Sequence, residues 1–156
     1  MTETLAEDIK LIVFQLKEKE YAIPVSKVYS IEKIEHITRV PGVTKYIKGV
    51  INLRGVVTPI IDLRLRFDIG EEVYSDSTRV IIVALEDMEV GLIVDAANDV
   101  IDVKVDSIEP QPEVVGVTEA EYISGVAKID KRLLILLDLE KVLSSQELKV
   151  NLGNEG

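Results

Sequence analysis

The chain has no cysteine, no tryptophan, one histidine and two phenylalanines in 156 residues. Without cysteine there is no disulfide framework, no thiolate metal site and no cysteine nucleophile. The lone His36 lies in an extended polar segment without a Ser or Cys partner motif, and reads as a surface histidine. No apolar run approaches the ~18–20 residues that span a bilayer. The start, MTETLAEDIK, is acidic and lacks the apolar core of a signal peptide. Basic runs are missing too: 28 acidic residues against 18 basic ones leave a formal net charge of −10. Nucleic-acid binding needs a cationic footprint, and an anionic membrane surface repels such a chain. There is no G-x-S-x-G, P-loop, G-x-G-x-x-G, H-E-x-x-H or EF-hand pattern. Acidic pairs such as Glu71-Glu72 and Glu86-Asp87 fall in turns, where carboxylates are solvated. The residues nominate no cofactor, no metal and no catalytic group; the expectation is a non-enzyme that works through its surface.

What is present is aliphatic. Hydrophobic residues make up 47% of the chain, mostly Val, Ile and Leu, enough for a packed core and biased toward strands. The length suits about one domain. The centre of organisation is Val50 to Leu63, where two β-rich runs, Ile47 to Leu53 and Val56 to Ile61, are separated only by Arg54-Gly55. Gly55 supplies a positive φ for a tight bend. Pro59 restricts the second run to a sheet edge or to a position whose N–H no ladder needs. Asp62 is placed to cap a short helix, Leu63 to Phe67.

Along the rest of the chain, Lys10 to Leu16 and Tyr21 to Ile23 form a hairpin across the polar turn Lys17 to Glu20. Pro24 to Ile31 has apolar residues at 25, 28 and 31, which predicts one short helical stretch with Pro at its start. Glu32 to Val40 is extended. Strands follow at Thr78 to Leu85, Glu89 to Val94, Val100 to Val105, Tyr122 to Ile129 and Leu133 to Leu137, and a helix capped by Asp138 runs from Leu139 to about Leu148. Residues 1–8 and 151–156 are read as flexible tails around one domain at 9–150.

The chain repeats itself. Residues 47–67 align without a gap on residues 123–143, with identities at 47/123, 49/125, 50/126, 62/138 and 63/139. Upstream, Ile12 to Leu16 and Glu20 to Val25 fall on Ile81 to Leu85 and Glu89 to Val94. Two units, about 10–67 and 79–143, each too small to bury much surface alone, predict two intertwined β-subdomains about an approximate two-fold axis. The copies differ at the bend. Asn52-Leu53-Arg54-Gly55 corresponds to Lys128-Ile129-Asp130-Lys131, ordinary turn chemistry. Arg54 is therefore not demanded by the repeat. A structural ion pair with one of the many acids and a binding role are both open to it.

The segments IKGVINLRGVVTPIIDLR, EVGLIVDAANDV and EYISGVAKIDKRLLILLDLEKVL resemble the CheW-like domain of bacterial chemotaxis coupling proteins. That domain also occurs as the regulatory module of the histidine kinase CheA and in CheV-type proteins. The resemblance runs in order from about residue 9 to 148, and NLRG-V-x-x-P-[IV]-[IV]-D-L is characteristic of the family. No phosphotransfer, ATP-binding or receiver module accompanies it, so a stand-alone coupler is expected. The resemblance implies an all-β fold of two five-stranded SH3-like β-barrels related by a pseudo-two-fold axis, with short helices including a C-terminal one. It implies a cytoplasmic adaptor, recruited to membrane-bound arrays by protein contacts, that couples the tips of methyl-accepting receptors to CheA. A CheW-like adaptor of a related, non-chemotaxis two-component system is the alternative. The implied receptor-binding residues are Val25, Val28, Ser30, Ile31, Asn52, Arg54 and Gly55; apolar side chains would meet an apolar helix face, and Arg54 a carboxylate. The implied kinase or ring contact is the loop with Glu109, Pro110, Pro112, Glu113 and Val114. Some relatives carry an acid at the Ser30 position that can pair with the bend arginine; here Glu32 is the candidate substitute.

Overall fold

Four two-residue hairpin turns build most of the molecule. The computed structural model describes residues 7–34, 36–70, 74–110 and 122–143. The first half supplies β1 (Asp8–Leu16), β2 (Lys19–Pro24), β3 (Val28–Lys33), β4 (Ile47–Leu53), β5 (Val56–Asp62) and the helical turn α1 (Leu63–Arg66). The second supplies β6 (Arg79–Leu85), β7 (Met88–Val94), β8 (Ala96–Lys104), β9 (Ile123–Ile129), β10 (Arg132–Leu137) and α2 (Leu139–Val142). The ten strands form two five-stranded sheets, ordered β8-β1-β2-β10-β9 and β3-β6-β7-β5-β4. Exchanging each strand for the one five places away in the chain converts one order into the other. Each sheet thus draws strands from both halves, joined by parallel pairs, β2 with β10 and β5 with β7.

The expected helical stretch from Val25 to Ile31 is not formed as such. One 3-10 turn covers Val25–Lys27, and the chain then enters β3. The apolar residues at 28 and 31 belong to a strand whose pairing slips by a residue between Val28 and Ser30; that bulge mimics a three-residue period. At the N-terminal side, Asp8 already pairs with Lys104 and is part of β1 rather than of a tail. The C-terminal helix is described through Val142, and its expected continuation to Leu148 lies outside the described residues.

Burial explains the continuous apolar runs. Leu11 and Val13 on β1 face a core private to their sheet, with Ala22, Val103, Ala127 and Leu134. Ile12, Phe14 and Leu16, on the other face, enter a larger core shared by both sheets. A strand covered on both faces has no polar side to show, hence the run LIVF. The second sheet has its own private core of Ile51, Ile60, Val80, Ile82 and Ile93. The shared core holds a row of rings, Phe14, Tyr21, Phe67 and Tyr122, with successive centroids 5.9, 5.8 and 5.4 Å apart.

The repeat is visible in single hydrogen bonds. Thr38 and Val50 exchange backbone bonds of 2.8 Å, and Glu109 and Val126 exchange bonds of 2.8 and 2.9 Å. Each bridge lies beside a glycine. A Cβ on Gly49 would stand 2.1 Å from the Thr38 carbonyl oxygen, and one on Gly125 would stand 2.7 Å from that of Glu109. Asp62 N–H donates to Tyr46, and Asp138 N–H to Tyr122, at 2.8 and 2.9 Å. Both aspartates then cap their helical turns, as expected. Pro59 is not at an edge, since β5 lies between β7 and β4. Its partner Val50 turns its N–H and C=O toward Thr38, and the ladder to β7 begins at Ile60. Neither neighbour asks Pro59 for an N–H.

Candidate functional site

The β4–β5 turn places Arg54 at φ 53° and Gly55 at φ 83°. Two left-handed residues make the primed turn whose twist suits a hairpin. The Asn52 Oδ1 accepts the Gly55 N–H at 2.9 Å and fixes the turn from within. The left-handed backbone of Arg54 is not special, because Lys17, Glu86 and Asp130, which open the other three hairpin turns, share it at φ 56°, 56° and 54°.

What is special is where the side chain goes. The Arg54 guanidinium lies over the Tyr29 ring, 4.6 Å from its centroid. Its Nη1 is 3.8 Å from Glu32 Oε2, and the arginine side chain is 49% exposed. The turn is thereby laid against β3. Contacts of this kind, exposed and at this distance, hold a side chain by about 1 kcal/mol or less each. Arg54 is oriented yet remains open to a better-placed anion.

Tyr29 is the residue left over at the β3 bulge, where Val28 pairs with Val83 and Ser30 with Ile82. It was not among the residues implied by the resemblance. Its counterpart is Asn98, likewise left over between Asp99 and Ala97 on β8. The two environments diverge. Asn98 donates to Glu20 at 3.0 Å, and Arg132 bridges Glu20 and Asp99 at 2.9 and 3.0 Å. That cluster holds Glu20 below the usual carboxylate range, chiefly through its hydrogen bond from Arg132. In the other sheet the positions of Asp99 and Arg132 are taken by Ser30 and Val56. An ion cluster is replaced by an aromatic ring, an arginine and an exposed valine.

The remaining implied residues fall into two groups. Asn52, Arg54, Gly55 and Ile31 are exposed. Val25 and Val28 are partly buried and pack against the shared core, and Ser30 keeps a buried hydroxyl without a partner. The structure brings Arg54 together with Tyr29 and Glu32, and sets Val25 and Val28 on the core side of the same strand region. Glu32, the substitute partner inferred from the missing acid at Ser30, is the acid found beside Arg54. Tyr29 had one signal in the sequence, an aromatic residue where the other copy has Asn98. Of the second implied site, Glu109 makes the backbone bridge to Val126 and its side chain and Pro110 are exposed; Pro112, Glu113 and Val114 lie outside the described residues. Among the described residues no cluster of His, Cys, Asp or Glu could hold a metal ion, and no helix is long and apolar enough to cross a membrane.

A model of the CheW-like domain matches residues 10–147. The chain belongs to the CheW-like domain family. It is 51% identical over 146 residues to "Chemotaxis protein CheW" of Bacillus subtilis (strain 168), covering 94% of each chain. It is 38% identical over 146 residues to "Chemotaxis protein CheW" of Klebsiella aerogenes, covering 94% of this chain and 87% of the relative. Among solved structures it is similar to the scaffolding protein TtCheW from Thermoanaerobacter tengcongensis, with a TM-score of 0.82 at 37% identity, covering 88% and 94% of the two chains. The CheW-like fold of two five-stranded sheets with few short helices is therefore the one expected from the repeat and from the resemblance.

Proposed function

We propose that the protein is a non-catalytic scaffold of bacterial chemotaxis that couples the cytoplasmic tips of methyl-accepting receptors to the histidine kinase CheA. It acts in the cytoplasm and reaches membrane-bound receptor arrays through protein contacts. The observation that carries this reading is the Arg54 turn: a half-exposed guanidinium braced on Tyr29 and held at only 3.8 Å from Glu32. A carboxylate on a receptor tip can approach to the ~2.8 Å of a charge-assisted hydrogen bond and take the place of Glu32. The tip's apolar helix face then lies along β3, against exposed Ile31 and the outer surface of Val28. The second contact, toward the kinase, uses Glu109, Pro110, Pro112, Glu113 and Val114.

The test is a pull-down of receptor tips, with and without CheA, by wild type and by Arg54→Glu. The variant is expected to melt within about 5 °C of wild type, since it loses two contacts of about 1 kcal/mol or less each, and to retain less receptor tip. Full retention by a folded variant would overturn the reading.

A further inference from the structure

Within a chain of net charge −10, the stretch leading into the start of β4 has the opposite sign. Residues 36–48, HITRVPGVTKYIK, hold Arg39, Lys45 and Lys48 and no Asp or Glu. The fold gathers all three cations around one cavity of about 370 Å³, lined also by Val40, Pro41 and Val43. In this loop Ile47 N–H donates to the Thr44 carbonyl at 3.0 Å, and Gly42 takes φ 83°. Thr44, on the cavity wall, has a buried Oγ1 with no hydrogen-bond partner. Among the described residues, none of Arg39, Lys45 and Lys48 makes an ion pair. Three converging cations that make no ion pair suit an anion.

We propose that this cavity docks an acidic segment of a partner protein. One carboxylate sits among the three cations, and an adjacent apolar residue packs on Val40 and Val43. The apolar lining favours a peptide over a bare anion, which would leave Val40, Pro41 and Val43 unused. No residue of the Arg54 turn takes part, so the cavity is a separate contact.

The probe is an acetylated, amidated Glu-Val-Glu peptide titrated into the ¹⁵N-labelled protein, with Gln-Val-Gln and inorganic phosphate as comparisons. The expected result is saturable shifts of the Gly42, Thr44 and Lys45 amides with Glu-Val-Glu, weakening with added salt, and none with Gln-Val-Gln. Arg39→Gln with Lys45→Gln is expected to abolish them at an unchanged melting temperature. Lys48 is left in place because its charge also acts on buried Asp62; if the double variant melts early, Lys45→Gln alone carries the comparison. No shifts, shifts that survive the substitution, or equal shifts with phosphate, the sign of a free-anion site, would each overturn the proposal.

Discussion

Arg66 donates its Nε–H to the carbonyl of Val142 at 2.6 Å, and Val142 is its own counterpart in the repeat. The guanidinium also stacks between two equivalent rings, 4.7 Å from the Tyr46 centroid and 4.9 Å from that of Tyr122. One arginine thus ties the two helical turns together across the pseudo-two-fold relation, in a place where the other copy has only valine.

Arg66→Ala removes a charged hydrogen bond and two cation–π contacts from a partly buried site. The expected loss is about 2–3 kcal/mol, a fall in melting temperature of roughly 4–10 °C. Arg66→Lys is expected to recover little of it, because an ammonium cannot stack as a plane between two rings. A thermal melt within a degree of wild type for both variants would show that Arg66 does not hold the two helical turns together.

Gly49→Val and Gly125→Val both force a side chain into a backbone carbonyl, at 2.1 and 2.7 Å for the Cβ alone. Both should destabilise by several kcal/mol. Gly49 should suffer more, since its φ of 148° adds backbone strain that Gly125 lacks. Equal melting temperatures for the two would contradict the geometry.

Asp62 is fully buried, and its Oδ2 has no partner. Burial pushes its carboxyl above the ordinary 3.8, against the field of Lys48. The folded state therefore holds this proton more tightly than the unfolded one. The favourable contribution is present below that ordinary value and is lost as pH rises through the raised one. Asp62→Asn keeps the cap to Leu65 and removes the charge. It should melt higher than wild type near neutral pH, with the gain shrinking as pH falls toward 4. A gain independent of pH would show that ionisation is not the cause.

The Glu20–Arg132–Asp99 cluster predicts the opposite slope. The hydrogen bond from Arg132 holds Glu20 below its ordinary 4.5, so its contribution is present above that value and is lost as pH falls through the lowered one. Arg132→Ala should lower the melting temperature at pH 7 by more than at pH 3. A constant difference would assign the arginine's effect to packing.

The scaffold was legible because two copies report on each other. The strand runs, both aspartate caps and the paired glycines appear as coincidences between residues 47–67 and 123–143 before any coordinate is seen. What stayed hidden came from backbone pairing. The bulge at Tyr29 shifts the period of apolar residues between Val25 and Ile31, so a strand reads as a helical turn. Pro59 reads as an edge residue or as one whose N–H no ladder needs, and only the turning of Val50 toward Thr38 shows that the second holds in an interior strand. The Arg54 turn stood out as unrepeated, but its bracing by Tyr29 depends on where a bulge points a ring. The cationic cavity needed the loop from Arg39 to Lys48 to close on itself, which no periodicity announces.

The exchanged strands set an order of assembly for a chain that emerges N-terminus first. The β3-β6-β7-β5-β4 sheet has all its members once Val94 has been made. The β1–β2 hairpin, though first to appear, finds its sheet only when β8, β9 and β10 arrive. Until Leu137 emerges, its Phe14 and Tyr21 have only part of the shared core to enter. The earliest strands in the sequence are therefore the last to be fully housed, and an aliphatic hairpin must wait through most of synthesis for its partners.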